Sequence, residues 1–222
     1  MTQRQFLKTL GTSAVFVVVV LGALLIGSRR GNAFQNQGND DDSRIQQGFA
    51  IAPVPLNLTG KNRALVGLGS YIVNAQVDCN GCHTSAPRGM PQLEWVPGGV
   101  PFFGQRPTEV NPTYYLGGGQ HFPLVPGFPD IVSRNLTPDK TGLPEGGRPF
   151  EEFLQIMRTG VDLDQLHLNL PPPFDGSLLQ IMPWPTFQNM TDHDLRAIYE
   201  YLSAIPCIAG PPAPSPLHND CT

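Results

Sequence analysis

The pentapeptide Cys79-Asn80-Gly81-Cys82-His83 places two thiols and an imidazole within five consecutive residues. It constrains this chain more than any other feature of its sequence. Cys-x-x-Cys-His is the pattern of covalent c-type haem attachment. Two thiols separated by two residues reach the two vinyl-derived carbons on one edge of a porphyrin, and the adjacent imidazole is then forced beneath the iron as proximal ligand. Two other chemistries use paired cysteines, a dithiol redox centre and half of a zinc site. Zinc needs a second ligand pair, and the remaining cysteines, Cys207 and Cys221, stand too far apart in the C-terminal tail to form a second two-residue knuckle. The motif occurs once, so one covalent haem c per chain is expected.

A six-coordinate electron carrier also needs a donor on the opposite haem face. Met157 falls on the apolar stripe of a helix and reads as core. Met190 precedes a helix cap at Thr191 and can pack on Leu195 as a hydrophobic staple. Met1 belongs to the N-terminal segment, and Met90 lies too soon after His83 to cross easily to the other face. Met182 remains, in Ile181-Met182-Pro183-Trp184-Pro185, where two prolines disfavour a helix and leave an extended loop able to push a side chain inward. His121 and His167 lie in loops and keep bis-His ligation open, whereas His193 and His218 read as solvated. Trp184, Phe187 and Tyr71 are candidate wall residues, and Arg134, Asn135 and Arg158 are candidate partners for haem propionates.

Thr9 to Ser28 is a 20-residue stretch without a charge, centred on AVFVVVVLGALLI. A helix of that length spans roughly 30 Å, the thickness of a bilayer hydrocarbon core, and reads as a membrane anchor. A cleaved signal peptide is the competing reading: Arg4 and Lys8 make its n-region, Ala14 to Ile26 its h-region, and Gly31-Asn32-Ala33 a small-x-small site. Basic residues flank both ends of the stretch, so flanking charge does not set its orientation. Either reading puts the rest of the chain outside the cytoplasm. There two spare thiols are expected to pair, which makes Cys207–Cys221 a disulfide worth roughly 3 kcal/mol. All four charges before residue 31 are basic, which leaves 10 Lys and Arg against 18 Asp and Glu in the remainder. That balance excludes nucleic acid as a partner, because phosphate affinity rests on Lys and Arg.

Residues 1–33 therefore form the anchor or signal segment, and residues 34–61 a linker and extended strap, since Pro53 and Pro55 forbid an interior helix. Asn62 to about Gln76 repeats Leu65, Leu68 and Ile72 at helical spacing. Residues 84–149 hold 23 of the 48 Gly and Pro, which predicts turns and short strands. Phe150, Phe153, Leu154 and Met157 define a helix with Pro149 at its start and Gly160 beyond its end. A last helix begins at the Thr191 cap, with Asp194 completing a capping box, and runs to Pro206. The tail, 207–222, is Pro-rich and expected to be extended.

With the haem motif, the Met-Pro loop and the capped terminal helix in this order, residues 62–206 resemble class I c-type cytochromes. Tyr115-Leu116-Gly117-Gly118-Gly119, Asn135-Leu136-Thr137-Pro138-Asp139, Met157-Arg158-Thr159-Gly160, Met182-Pro183-Trp184 and Tyr201-Leu202 narrow the likeness to bacterial cytochromes c of membrane-bound dehydrogenases. The resemblance implies an all-α cytochrome c domain with a Gly/Pro-rich loop and short-strand insert, preceded by the N-terminal transmembrane or signal helix, and with its first and last helices crossing near Gly69 and Tyr199. It implies Cys79 and Cys82 as thioether sites, His83 as proximal ligand and Met182 as distal ligand. The expected function is one-electron transfer without substrate chemistry, on the periplasmic face of the bacterial inner membrane, with a dehydrogenase or respiratory complex as redox partner. A soluble periplasmic location after signal cleavage is the alternative, and so is a peroxide- or gas-reacting haem with a labile distal ligand. The dehydrogenase subunits it resembles commonly carry three haem domains, whereas this chain has one motif.

Overall fold

The computed structural model describes residues 40–84, 93–164 and 170–222. The chain divides into two units at Ser43/Arg44. In the first, residues 40–43 are helical, and the Ser43 hydroxyl donates to the Asp40 carbonyl at 2.9 Å. The expected anchor or signal helix lies outside the described residues. Among the described residues no helix is long and apolar enough to cross a membrane.

The second unit begins with helix α1, residues 44–51. A helix here departs from the linker-and-strap expectation. Ile45 and Phe49, one turn apart, pack on the core, and burying that pair outweighs the weak local preference. The extended strap follows at Pro53 and Pro55, and Asn57 N–H donates to the Ala204 carbonyl at 2.8 Å. Helix α2, Arg63–Tyr71, starts where the Asn62 side chain accepts from the Ala64 and Leu65 amides. It continues as a wider π-helical turn over Ile72–Gln76, within the stretch expected to be one helix. The pentapeptide supplies a single turn, α3, Cys79–Cys82, capped by Asp78.

The long insert has little regular structure. Its strands β1, His121–Phe122, and β2, Ile131–Val132, pair antiparallel with His121 opposite Val132. A single turn, α4, Pro144–Gly147, leads into α5, Phe150–Thr159, which stops at Gly160 in the left-handed conformation. A short helix α6, Trp184–Phe187, occupies a segment expected to be extended. Proline is tolerated in a first helical turn because the amide it lacks would have no partner there, and Pro185 uses that allowance. The terminal helix α7, Asp192–Leu202, is capped by Thr191, whose hydroxyl accepts from the Asp194 amide at 3.1 Å.

Helices α2 and α7 cross in close contact, and α5 packs on both α6 and α7. The crossing centres on Gly69, where a Cβ would overlap the Ala197 carbonyl and press on Tyr201. Only the missing side chain lets the two backbones approach so closely. Val66 and Leu68 from α2 and Ile72 and Val73 from the π-helical turn that continues it meet Leu195, Ile198, Tyr201 and Leu202 from α7, and Phe153 and Met157 close the core from α5.

Candidate functional site

The turn Cys79–Cys82 opens onto a cavity of about 1130 Å³, counting the space at its mouth. Cys79 is half-buried and Cys82 exposed, and both thiols line it. Between them, the Asn80 side chain is buried and accepts from the Leu116 amide at 3.2 Å and from the Thr84 hydroxyl. The turn is therefore fastened to the insert, and its two thiols remain on the cavity side. Burial, the Asp78 carboxylate and the neighbouring thiol push the Cys79 pKa up to about 12. Burial, Asp78 and Glu94 raise that of Cys82. Both groups are thiols at neutral pH.

His83 Nδ1 lies 2.8 Å from the Arg134 carbonyl oxygen. A carbonyl can only accept, so Nδ1 carries the proton and donates, and Nε2 keeps its lone pair. That division is what a ligating imidazole requires. Burial lowers the His83 pKa and so favours the neutral ring.

Met182 lines the same cavity, and so do Met157 and Met190. Met157 is also core, in keeping with its helical stripe, so one side chain serves both surfaces. The walls between these sulfurs are apolar, with Ile131, Leu136, Phe153, Ile156, Phe187 and Leu202 among them. Of the other candidates, His121 is exposed and faces Asp130 at 3.4 Å, and only its neighbour Phe122 reaches the cavity. His167 and Met90 lie outside the described residues. His193 and His218 are exposed.

The candidate propionate partners have other engagements. Arg134 lines the cavity, but its guanidinium pairs with Asp162 and Asp164. Arg148, which no sequence motif singles out, joins the same network through Glu145, Glu152 and Asp164. Asn135 donates to the Ile208 carbonyl at 2.9 Å. Arg158 donates to the Gln188 and Met190 carbonyls and pairs with Asp192, tying α5 to the segment before α7. Trp184 covers Gly160 and donates from Nε1 to the Leu179 carbonyl at 3.1 Å, outside the cavity lining. Among the wall candidates Phe187 reaches the cavity; Tyr71 does not line it.

The donor chemistry fits a covalently attached haem. Two thiols one helical turn apart, an imidazole with its Nε2 free and three thioethers share one apolar cavity. Among the described residues no cluster of three or more His, Cys, Asp or Glu side chains is arranged to hold a metal ion. Cys207 and Cys221, expected as a pair, are joined in a disulfide.

The chain is similar to cytochrome c subunits of dehydrogenases. It is 30% identical over 141 residues to the gluconate 2-dehydrogenase cytochrome c subunit of Pantoea cypripedii, a match covering 63% of this chain and 23% of that protein. It is 29% identical over 155 residues to the cytochrome c subunit of the quinone alcohol dehydrogenase of Gluconacetobacter polyoxogenes, covering 69% and 24%. The fructose dehydrogenase cytochrome subunit of Gluconobacter japonicus is 25% identical over 142 residues, covering 64% and 21%. The chain thus spans about a quarter of the length of the curated relatives it matches. No family model matches it, and no solved structure matches it significantly.

Proposed function

We propose that this chain is a monohaem cytochrome c that transfers single electrons on the periplasmic side of the membrane, in partnership with a dehydrogenase or respiratory complex. The observation that carries the reading is the convergence of Cys79, Cys82, His83 and Met182 on one apolar cavity, with His83 Nδ1 held by a backbone carbonyl. The three similar proteins named above are cytochrome subunits of dehydrogenases, which supports the kind of partner. Residues 9–28 serve as the membrane anchor.

When bound, haem c supplies a one-electron couple between Fe(III) and Fe(II). Cys79 and Cys82 would hold it through thioether bonds. His83 would ligate through Nε2 and Met182 through sulfur. The apolar walls exclude water and thereby disfavour the extra charge of the oxidised state, which together with a thioether ligand raises the reduction potential. Arg134 lines the cavity and shares a network of ion pairs with the buried Arg148 through Glu145, Asp162 and Asp164.

The test is the mass of the intact denatured chain together with haem staining of a denaturing gel. One covalent haem per chain is expected. Cys79→Ala or Cys82→Ala leaves at most one thioether and sharply lowers haem yield. A wild-type chain of bare polypeptide mass overturns the reading.

A further inference from the structure

The peptide unit that holds His83 is itself held by the C-terminal tail. The carbonyl of Arg134 accepts from His83 Nδ1 at 2.8 Å, and the amide of the same peptide unit, Asn135 N–H, donates to the Pro216 carbonyl at 3.1 Å. Proton donors and carbonyls thus run in one line from the imidazole to the tail. On its other side the peptide rests against Gly118, where a Cβ would strike the Arg134 carbonyl group and the Asn135 nitrogen. Gly118 N–H in turn donates to the His83 carbonyl at 2.7 Å.

The tail is fastened in place for this contact. The disulfide Cys207–Cys221 closes it. Ile208 accepts from the Asn135 side chain at 2.9 Å and donates its own amide to the Thr137 hydroxyl at 3.0 Å. Asn219, buried, inserts its amide between Thr137 Oγ1 at 2.9 Å and the Pro138 and Ile208 carbonyls at 3.1 Å. Lys140 N–H donates to the Asp220 carbonyl at 2.7 Å. A proline-rich segment with no helix of its own makes a dense set of bonds to residues 135–140, and none of its side chains lines the cavity.

We propose that the disulfide-closed tail is a positioning device for the proximal ligand, setting the orientation and donor strength of His83 through the Arg134–Asn135 peptide. The proposal rests on the haem reading of the site. A peptide whose N–H is hydrogen-bonded has a more negative carbonyl oxygen, because bonds in a chain polarise one another. That oxygen draws the Nδ1 proton more strongly, the ring becomes a better donor through Nε2, and the oxidised iron is favoured. The tail therefore holds the potential down. Its release raises the potential, whereas water entering a loosened cavity would lower it, so the sign separates the two effects.

The experiment uses the full-length holoprotein and compares wild type with Cys207→Ser/Cys221→Ser, Asn219→Ala and Lys140→Ala, which removes the exposed ion pair to Asp220 but keeps the backbone bond from Lys140 N–H to the tail. Haem content, reduction potential, the proton resonance of the His83 ring N–H and the exchange rate of the Asn135 amide are measured. The serine pair and Asn219→Ala are expected to keep one covalent haem, with a raised potential, a shifted ring-proton resonance and faster Asn135 exchange. Lys140→Ala stays at wild type. If the serine pair does not fold, Asn219→Ala carries the same test. An unmoved or lowered potential with an unshifted ring proton, in variants that hold haem, overturns the clamp alone. A wild type without covalent haem overturns the site reading instead.

Discussion

Arg134 is divided between two tasks by its own chemistry. Its carbonyl receives the His83 proton while its guanidinium pairs with Asp162 and Asp164, so the side chain expected at a propionate is already engaged by carboxylates. The three cavity methionines pose the opposite case, since Met157, Met182 and Met190 all offer the same sulfur to one space. Met157 is fixed in the α5 core and Met190 is held by the bond from Arg158 to its carbonyl, whereas Met182 sits just before α6. Under the proposed ligation, Met182→Ala abolishes the near-infrared sulfur-to-iron charge-transfer band, lowers the reduction potential and opens the iron to cyanide. Met157→Leu and Met190→Leu keep the band, because they replace a wall sulfur with similar apolar volume. Retention of the band in Met182→Ala assigns the ligand to one of the other two.

Among the elements, the crossing of α2 with α7 carries the architecture. Its geometry depends on Gly69, and Gly69→Ala puts a methyl group against the Ala197 backbone, which cannot yield as a side-chain tip can. A loss of about 3 kcal/mol or more is expected, at the upper end for overpacked cores, and urea unfolding of the variant measures it. A midpoint equal to wild type would mean the helices cross elsewhere. Beside the crossing, Tyr115, Tyr201 and Asn74 form a buried hydrogen-bonded cluster, with the Tyr115 hydroxyl donating to Asn74 at 2.6 Å. It ties the insert to both helices one turn from the pentapeptide.

For the protein as a unit, the buried phenols predict alkaline weakness. Burial raises the Tyr199 pKa to about 12, and the hydroxyl donates to the Arg148 carbonyl at 2.9 Å. Burial also raises those of Tyr115 and Tyr201. An unfolded phenol titrates near pH 10, so the folded state binds these protons more tightly. The Tyr199 contribution is intact below about pH 10 and is lost as the pH rises through about 12, and those of Tyr115 and Tyr201 are lost in the same alkaline direction. Thermal unfolding across that window is expected to show a falling midpoint. Tyr199→Phe flattens the fall without abolishing it, and at neutral pH it costs about 1 kcal/mol for the lost hydrogen bond. A variant whose alkaline slope equals that of wild type would place the phenol in solvent.

Local chemistry is legible in the sequence by itself. The order of thiols and imidazole, the Thr191 cap, the ends of α5 and the disulfide partners all follow from groups close along the chain or from the scarcity of alternatives. Helix α1 is not legible there, because Ile45 and Phe49 acquire their partners only when α2 is present. The role of Arg134 is likewise hidden: a backbone carbonyl 51 residues from His83 leaves no mark in the side-chain code. By composition the tail reads as a peripheral extended segment, yet it supplies the carbonyl behind the histidine-holding peptide. Periodicity and motif spacing report what a residue can do to its neighbours. Which distant backbone group meets it is decided by packing, where close approach at Gly69 and Gly118 and closure of the tail bring together groups with no local reason to meet.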